Sequence, residues 1–410
     1  MTTTGLRARP ALSARRLLLP TAETGSPALV GFLSQYMAAA EAALAIPFSG
    51  LTTDGTPLAG LFALGSTGVS TQPIVDAANA FLACLSPAQH VEACFGISDE
   101  AWRQWSNIHP FVMRHGVLLD ELSPAQRARG LELVRTTCST RGFEAARNVM
   151  KLNEAIGEIS GRWEEYGEWL YWLSIFGRPS PTEPWGWQID GHHLIINCFV
   201  LGDQLVMSPT FLGSEPVFVD DGKYAGTRVF EAEEQQGLEF VRGLTRAEQE
   251  QAILFRSTLG RELPAGRAHP QEGRIQGTAF HDSLRLAYEG LPVGELGKGA
   301  QTRLLDLINI YVGRMRPGHD RVKMDEVCRH LAQTYFVWFG GVEDDSVFYY
   351  RIHSPVLFIE FDHLSGIAFD NDDPSRNHIH TVMRTPNGND YGKDLLRQHY
   401  ERHHWRASRS

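Results

Sequence analysis

Eight short runs rich in aromatic and β-branched residues are the feature that most limits how this chain can fold. Gly, Pro, Asn and Asp bound the runs, as is typical of β-strands. The runs lack the regular strand–helix alternation of a parallel sheet. They are residues 169–176, 185–200, 204–208, 217–219, 335–339, 347–353, 356–363 and 378–384. The sequence therefore predicts an α+β fold, in which a helical N-terminal part packs on a mostly antiparallel β-sheet or β-sandwich core with inserted helices.

Helical patterns dominate the first part of the chain and return between the later runs. Residues 28–46 repeat apolar side chains at the spacing of one helix face. Ser86, Ser123 and Thr245 each precede Gln or Glu by three residues, which is the pattern of a capping box. Further helices are predicted at residues 143–159, 246–258, 299–315, 321–333 and 392–403. We expect a disordered arm at 1–26, a mainly helical part at 27–162 and a β-rich part at 163–410, with one continuous domain as the alternative.

Charge and cysteine content exclude several classes of function. The formal net charge is -10 and the basic residues form no stripe, so nucleic acid is not an expected partner. Five scattered cysteines without a C-x-x-C pair indicate neither a disulfide framework nor a thiolate zinc site. No apolar run suits a secretory signal or a membrane span. We expect a cytoplasmic protein with a small-molecule substrate and no membrane contact; a homo-oligomer stays open.

Histidines are concentrated at two of the predicted strands. His378 and His380 are two residues apart, so an extended chain directs both imidazoles to the same face. His192 and His193 stand together beside a second apolar run. A metal ion that needs three or four nitrogen or oxygen ligands could draw on both groups. The sequence therefore predicts a mononuclear metal site.

The run at residues 356–363 offers one more ligand but imposes a choice. Strand alternation puts Glu360 and Asp362 on one face and His363 on the other, so the two faces cannot serve one site. The expected ligands are His378 and His380, with one of His192 and His193 and with His363 or Glu360. Iron or copper is favoured, and zinc or manganese also fits. The alternatives are a metal-free acid–base site of histidines and a purely structural network.

The polar block at residues 381–394, which runs off the end of the last strand and into a helix, is the expected substrate-binding segment. Arg384 is suited to hold a carboxylate or phosphate with two hydrogen bonds. Asn387, Asn389 and Tyr391 offer neutral groups that could orient a substrate. The alternative is that the Pro386-Asn387-Gly388 sequence forms a turn and the following residues cap a helix.

A third polar cluster lies at residues 102–120. His109 or His115 could donate a proton to a substrate, and Arg114 could hold an anion. Packing of Trp102 and Trp105 is the structural alternative. No nucleophile elbow, P-loop or dinucleotide-binding glycine motif occurs, so the nucleotide cofactors of those motifs are not implied.

Several long strings in the chain resemble one known family, the domain of unknown function 3500. The strings are residues 185–194, 207–216 and 378–399, with shorter ones at 47–55 and 141–144. The resemblance covers nearly the whole chain and implies no activity or catalytic residues. Many members of that family look secreted, whereas this chain carries no convincing signal.

The histidines lead to one functional hypothesis with two alternatives. We expect a metal-dependent oxidoreductase that acts on a small organic substrate, with His109 and Arg384 as catalytic residues. The first alternative is a zinc- or manganese-dependent hydrolase or lyase. The second is a metal-free protein that binds a small molecule in an aromatic pocket.

Overall fold

The computed structural model describes residues 26–108, 112–269, 271–369 and 371–403 of the 410-residue chain. Within these ranges the chain forms ten α-helices and one twelve-stranded, mostly antiparallel sheet, so the predicted α+β fold is confirmed. The predicted arm lies outside the described residues except for Ser26. The division of the chain after residue 162 stays a prediction.

The helices begin largely where the capping signals place them. Ser86, Ser123 and Thr245 each form the predicted capping box. The helix predicted to reach residue 258 ends at Ala252, where the chain becomes a strand. None of the described helices is long and apolar enough to cross a membrane. The helices are α1 Pro27–Leu44, α2 Gln72–Ala83, α3 Pro87–Ala93, α4 Pro124–Thr137, α5 Thr140–Ser160, α6 Glu231–Arg242, α7 Arg246–Ala252, α8 Lys298–Val312, α9 His319–Arg329 and α10 Lys393–His403.

Two four-stranded meanders make up the centre of the sheet. The strands β3 to β6 pair in sequence order, as do β9 to β12, and β6 lies antiparallel to β12 where the meanders meet. The sheet order is β1-β3-β4-β5-β6-β12-β11-β10-β9-β7, with β2 beside β3 and β8 beside β9. The strands are β1 Cys94–Phe95, β2 Val117–Leu118, β3 Tyr171–Gly177, β4 Trp185–Gly191, β5 Leu194–Leu201, β6 Gln204–Ser214, β7 Ile253–Phe255, β8 Leu291–Pro292, β9 Tyr335–Gly340, β10 Phe348–His353, β11 Phe358–His363 and β12 Ile379–Arg384.

Three predicted strands differ from the structure, of which the run at 204–208 is the start of a longer strand, β6, that extends to Ser214. The run at 185–200 is two strands, β4 and β5, because His192 and His193 form the turn of a tight hairpin. The run at 217–219 forms only an isolated bridge between Phe218 and Arg228. Its sequence is apolar and β-branched, yet it has no neighbouring strand to complete a ladder.

The two faces of the sheet differ in chemistry, although both are buried. One face carries the main hydrophobic core, where side chains such as Trp187, Phe361 and Ile379 pack with α2, α4, α5, α6 and α8. Strand pairing puts polar and charged side chains on the opposite face, which we call the polar face. Its members are Gln188, Asp190, Glu360, Asp362, His380 and Arg384.

Residues 272–282, which we call the roof segment, cover part of the polar face. Its backbone N–H groups at Gln276 and Gly277 donate to the Glu360 carboxylate, over 2.8–3.0 Å. Arg274 pairs with Asp362 at 2.7 Å. The roof segment is therefore attached to the sheet by buried ionic and charge-assisted hydrogen bonds, which are the stronger kind.

Candidate metal centre

Three imidazoles meet at the junction of the two meanders. The Nε2 atom of His380 lies 3.0 Å from Nε2 of His378 and 3.1 Å from Nε2 of His193. One ligand atom from each ring lies within 4.8 Å of the other two. The residues are 5%, 1% and 2% exposed for His193, His378 and His380, respectively. We call this set the histidine triad.

Strand β12 and the β4–β5 hairpin bring the triad together. His378 directly precedes β12 and His380 is the second residue of the strand, and their rings meet on one side of the chain as predicted. His193 occupies the hairpin turn with φ 62°, a left-handed conformation that few non-glycine residues adopt. Its N–H donates to the Asn107 carbonyl at 3.1 Å, and its carbonyl accepts from Gly213 N–H at 2.8 Å. These two bonds hold the turn against β6 and the 106–108 segment.

Gly213 allows the rings to approach each other. It lies on β6 opposite His380 of β12, so it is flanked by β12 on one side and by the β4–β5 hairpin turn on the other. A Cβ atom at this position would lie 2.8 Å from Cδ2 of His380 and 3.1 Å from Cδ2 of His193. Such contacts are too short for a close-packed interior, so a side chain here would push the triad apart.

The hydrogen bond of His378 determines which of its nitrogens is free. Its Nδ1 lies 2.7 Å from the carbonyl oxygen of Ser365, which can only accept a hydrogen bond. The proton of the neutral ring is therefore on Nδ1, and the Nε2 lone pair points into the triad. Glu215 lies 3.7 Å from the same Nδ1 and adds negative charge behind the ring.

His380 has a different environment on its outer side. Among the described residues, its buried Nδ1 has no hydrogen-bond partner, and the nearest carboxylate oxygen is Oε2 of Glu272 at 4.0 Å. Asn107 Nδ2 donates to both oxygens of Glu272, at 3.3 and 3.1 Å. Burial raises the pKa of the Glu272 carboxyl to about 7.

Burial also opposes a positive charge on each ring of the triad. It lowers the pKa of all three imidazoles, and the neighbouring rings lower those of His193 and His380 further. Neutral imidazole is the form that binds metals. A metal–imidazole bond is about 2.0–2.1 Å long, so two such nitrogens lie about 2.8–3.0 Å apart at a right angle and about 3.3–3.4 Å apart at a tetrahedral angle. The observed 3.0 and 3.1 Å fall between these values.

The remaining predicted ligands do not join the triad. His192 stacks on the ring of His193 with centroids 3.8 Å apart, while its Nδ1 lies 2.8 Å from Oδ1 of Asn153. His363 lies on the opposite face of the sheet, where its Nε2 contacts Oε1 of Glu234 at 2.8 Å. The prediction of His363 as a ligand is therefore corrected, because strand alternation turns it into the main core.

Glu360, the alternative to His363, does lie on the polar face but is used otherwise. Its carboxylate accepts hydrogen bonds from Tyr349 Oη at 2.6 Å and from the roof segment. Burial raises its pKa to about 7. The expected fourth protein ligand is thus not supplied by either candidate.

The predicted substrate-binding residues form an internal network instead of a binding loop. Arg384 is fully buried and pairs with Asp282 and, at 2.8 Å, with Asp390. Tyr391 Oη donates to Asp282 at 2.9 Å. Asn387 and Asn389 are also buried and are hydrogen-bonded to backbone groups. These side chains are covered by the rest of the chain, and their expected role in holding a substrate stays a prediction.

The structure describes only part of the third polar cluster. His109 lies outside the described residues. Arg114 pairs with Asp190 on the polar face at 2.5 Å, and the Nδ1 of His115 lies 3.4 Å from the Met113 carbonyl. Trp102 and Trp105 are buried in a second hydrophobic cluster, as the structural alternative predicted.

Four residues around the triad were missed in the sequence: Asn107, Gly213, Glu215 and Glu272. Gly213 and Glu215 follow an apolar run and resemble ordinary strand-end residues. Glu272 lies in a segment without strand or helix signals, more than 100 residues from His380. Their roles depend on tertiary contacts, so no local pattern marks them.

Comparisons with known proteins add a family and no activity. A model of the family described as "Protein of unknown function (DUF3500)" matches residues 67–393, which include the whole triad. No curated protein and no solved structure matches the chain significantly.

Proposed function

Since the chain belongs to the DUF3500 family, whose description assigns no activity, we propose from the site itself that the protein is a metal-dependent oxidoreductase acting on a small organic substrate. The observation that supports this is that Nε2 of His380 lies 3.0 Å from Nε2 of His378 and 3.1 Å from Nε2 of His193, with one ligand atom of each buried ring within 4.8 Å of the other two. One transition-metal ion would be held by His193, His378 and His380. Such an ion supplies redox chemistry or polarises a substrate oxygen.

The positions of the protons on the imidazole rings favour a bound ion over hydrogen bonds between the rings. The Ser365 carbonyl leaves Nε2 of His378 without a proton, so a neutral His380 would have to donate from its own Nε2. His380 Nδ1 would then be a buried acceptor with no donor, which is costly. An ion at the triad removes this conflict, because all three Nε2 atoms then act as electron-pair donors.

The outer surroundings of the rings also suit a metal. Metal-bound histidines commonly face a carboxylate or carbonyl with the second ring nitrogen. Here His378 faces Ser365 and Glu215, and His380 faces Glu272. The two carboxylates would balance the charge of a divalent ion that has only neutral ligands.

Oxidation is favoured over hydrolysis by the position of the same carboxylates. A zinc hydrolase needs a general base beside the bound water. Glu215 and Glu272 contact the Nδ1 side of the rings, away from the Nε2 atoms where a water would bind. Three imidazoles fit copper, iron and zinc, whereas manganese prefers carboxylate ligands. We therefore propose iron or copper as the ion.

Metal analysis of the purified protein tests this proposal. We expect about one equivalent of iron or copper by elemental analysis and an electron-spin-resonance signal from the oxidised centre. His380→Ala should abolish binding, whereas His363→Ala, which changes a buried histidine on the other face, should retain it. Stoichiometric zinc would move the proposal to a hydrolase or lyase. If the protein binds none of these ions after incubation with each, the metal-free alternative replaces it.

A further inference from the structure

Glu272 is held firmly in place before any ion arrives. Asn107 donates to both of its oxygens, and the roof segment that carries it is anchored through Asp362 and Glu360 on the sheet. The carboxylate is buried, with its residue 4% exposed. A carboxylate offers about four acceptor sites, so the hydrogen bonds from Asn107 and Thr278 leave hydrogen-bonding capacity unused.

The facing nitrogen is Nδ1 of His380. It is buried, forms no hydrogen bond within the described ranges and lies 4.0 Å from Oε2 of Glu272. If Nε2 of His380 gives its lone pair to an ion, the proton of the neutral ring must sit on Nδ1. That N–H then points toward an acceptor about 1 Å beyond normal hydrogen-bond distance.

We propose that Glu272 is the positioning residue of the metal centre, accepting the Nδ1–H of His380 when an ion is bound. The inference rests on the proposed metal centre. This bond orients the His380 ring and makes its Nε2 a stronger donor. Glu272 touches neither the ion nor the substrate, so it acts through His380.

Glu215 on the other side of the triad cannot substitute for it. Its oxygens already accept backbone N–H groups from residues 367–369 over 2.9–3.2 Å. The ring that it approaches, His378, already donates to Ser365 at 2.7 Å. Of these two carboxylates, only Glu272 faces an imidazole nitrogen that has no hydrogen-bond partner in the described part of the chain.

Titration with Co²⁺ tests the role of Glu272, because the visible absorption of Co²⁺ reports both affinity and ligand environment. We expect Glu272→Gln to weaken Co²⁺ binding about tenfold and Glu272→Ala about 100-fold, the range seen when such outer partners are lost. The Co²⁺ absorption bands should shift in the glutamine variant. A merely structural role would leave the bands in place.

Glu234→Gln is the matched control. It changes another buried carboxylate that contacts a histidine, His363, on the opposite face of the sheet. Its Co²⁺ affinity should equal that of the unmodified protein. If Glu272→Gln also equals the unmodified protein, the inference about Glu272 fails and the metal proposal survives. If the unmodified protein binds no Co²⁺ and contains no other ion, both fail.

Asn107→Ala provides a second variant in case changes at Glu272 prevent folding. It removes the amide that holds Glu272 and keeps the backbone carbonyl that holds His193. We expect weaker Co²⁺ binding with the same direction of band shift. Unchanged affinity and spectrum in this variant would overturn the proposal.

Discussion

Replacement of Arg384 by methionine should destabilise the fold severely. The guanidinium is fully buried between Asp282 and Asp390, which are themselves 1% and 0% exposed. Burial opposes its charge, yet Asp390 and Asp282 raise the pKa of the guanidinium above its ordinary value. Methionine fills a similar volume but leaves the two carboxylates without this cation.

The size of the effect follows from the partners that remain. Asp282 would keep Arg103 at 3.1 Å, so its charge stays compensated. Asp390 would keep only hydrogen bonds from Ser208 and from the backbone of Thr385. One uncompensated buried charge costs about 3–5 kcal/mol. We expect the free energy of unfolding to fall by that amount, a large part of the total for a typical protein.

Urea unfolding followed by tryptophan fluorescence measures the loss, with Arg397→Met as the control. Arg397 also pairs with two carboxylates, Asp394 at 2.6 Å and Glu401 at 2.8 Å, but its side chain is 55% exposed. Its replacement should cost at most about 1 kcal/mol. A similarly small loss for Arg384→Met, together with lost substrate affinity, would refute the structural role and restore the substrate-binding role that the sequence suggested.

Three further perturbations have defined outcomes. Gly213→Ala should weaken Co²⁺ binding and lower stability by about 1–3 kcal/mol through overpacking, whereas Gly297→Ala, where a Cβ meets nothing within 4 Å, should do neither. Removal of the ion with a chelator should lower the melting temperature, because an ion at about 100 times its Kd adds about 2.7 kcal/mol; an unchanged melting temperature in metal-loaded protein would contradict this. Burial lowers the pKa of His353 to about 3, so the unfolded chain takes up this proton first as pH falls. The stability that the neutral His353 contributes is complete above about pH 6.5, so the free energy of unfolding should decrease by about 2 kcal/mol between pH 7 and pH 5. His353→Gln should show a smaller decrease over the same range, and an equal decrease would disprove the role of His353.

Local periodicity was sufficient for much of the architecture and for two of the three histidines of the triad. The alternation of an extended chain placed His378 and His380 on one face, and hydroxyl-to-glutamine spacing located the starts of α3 and α4. The same alternation separated Glu360 from His363, although it could not tell which face holds the site. That choice depends on which face the helices cover.

The position of His193 in the triad and the burial of Arg384 depend on contacts between residues far apart in the sequence. His193 reaches His380 only because the β4–β5 hairpin and β12 both border β6, a relation between residues 187 positions apart. Arg384 was expected in an open loop because Pro386, Asn387 and Gly388 are turn residues. The roof segment that buries it has no regular secondary structure, so its sequence carries no periodic signal.

The position of the triad between the two meanders has a consequence for how the molecule holds together. The first meander contributes His193 and the second contributes His378 and His380, while only the ladder between β6 and β12 joins the meanders within the sheet. A bound ion would cross-link the two meanders through its ligands and would oppose their separation. Amide protons of the β6–β12 ladder should then exchange with solvent more slowly in the loaded protein, while those at the outer strands keep their rates.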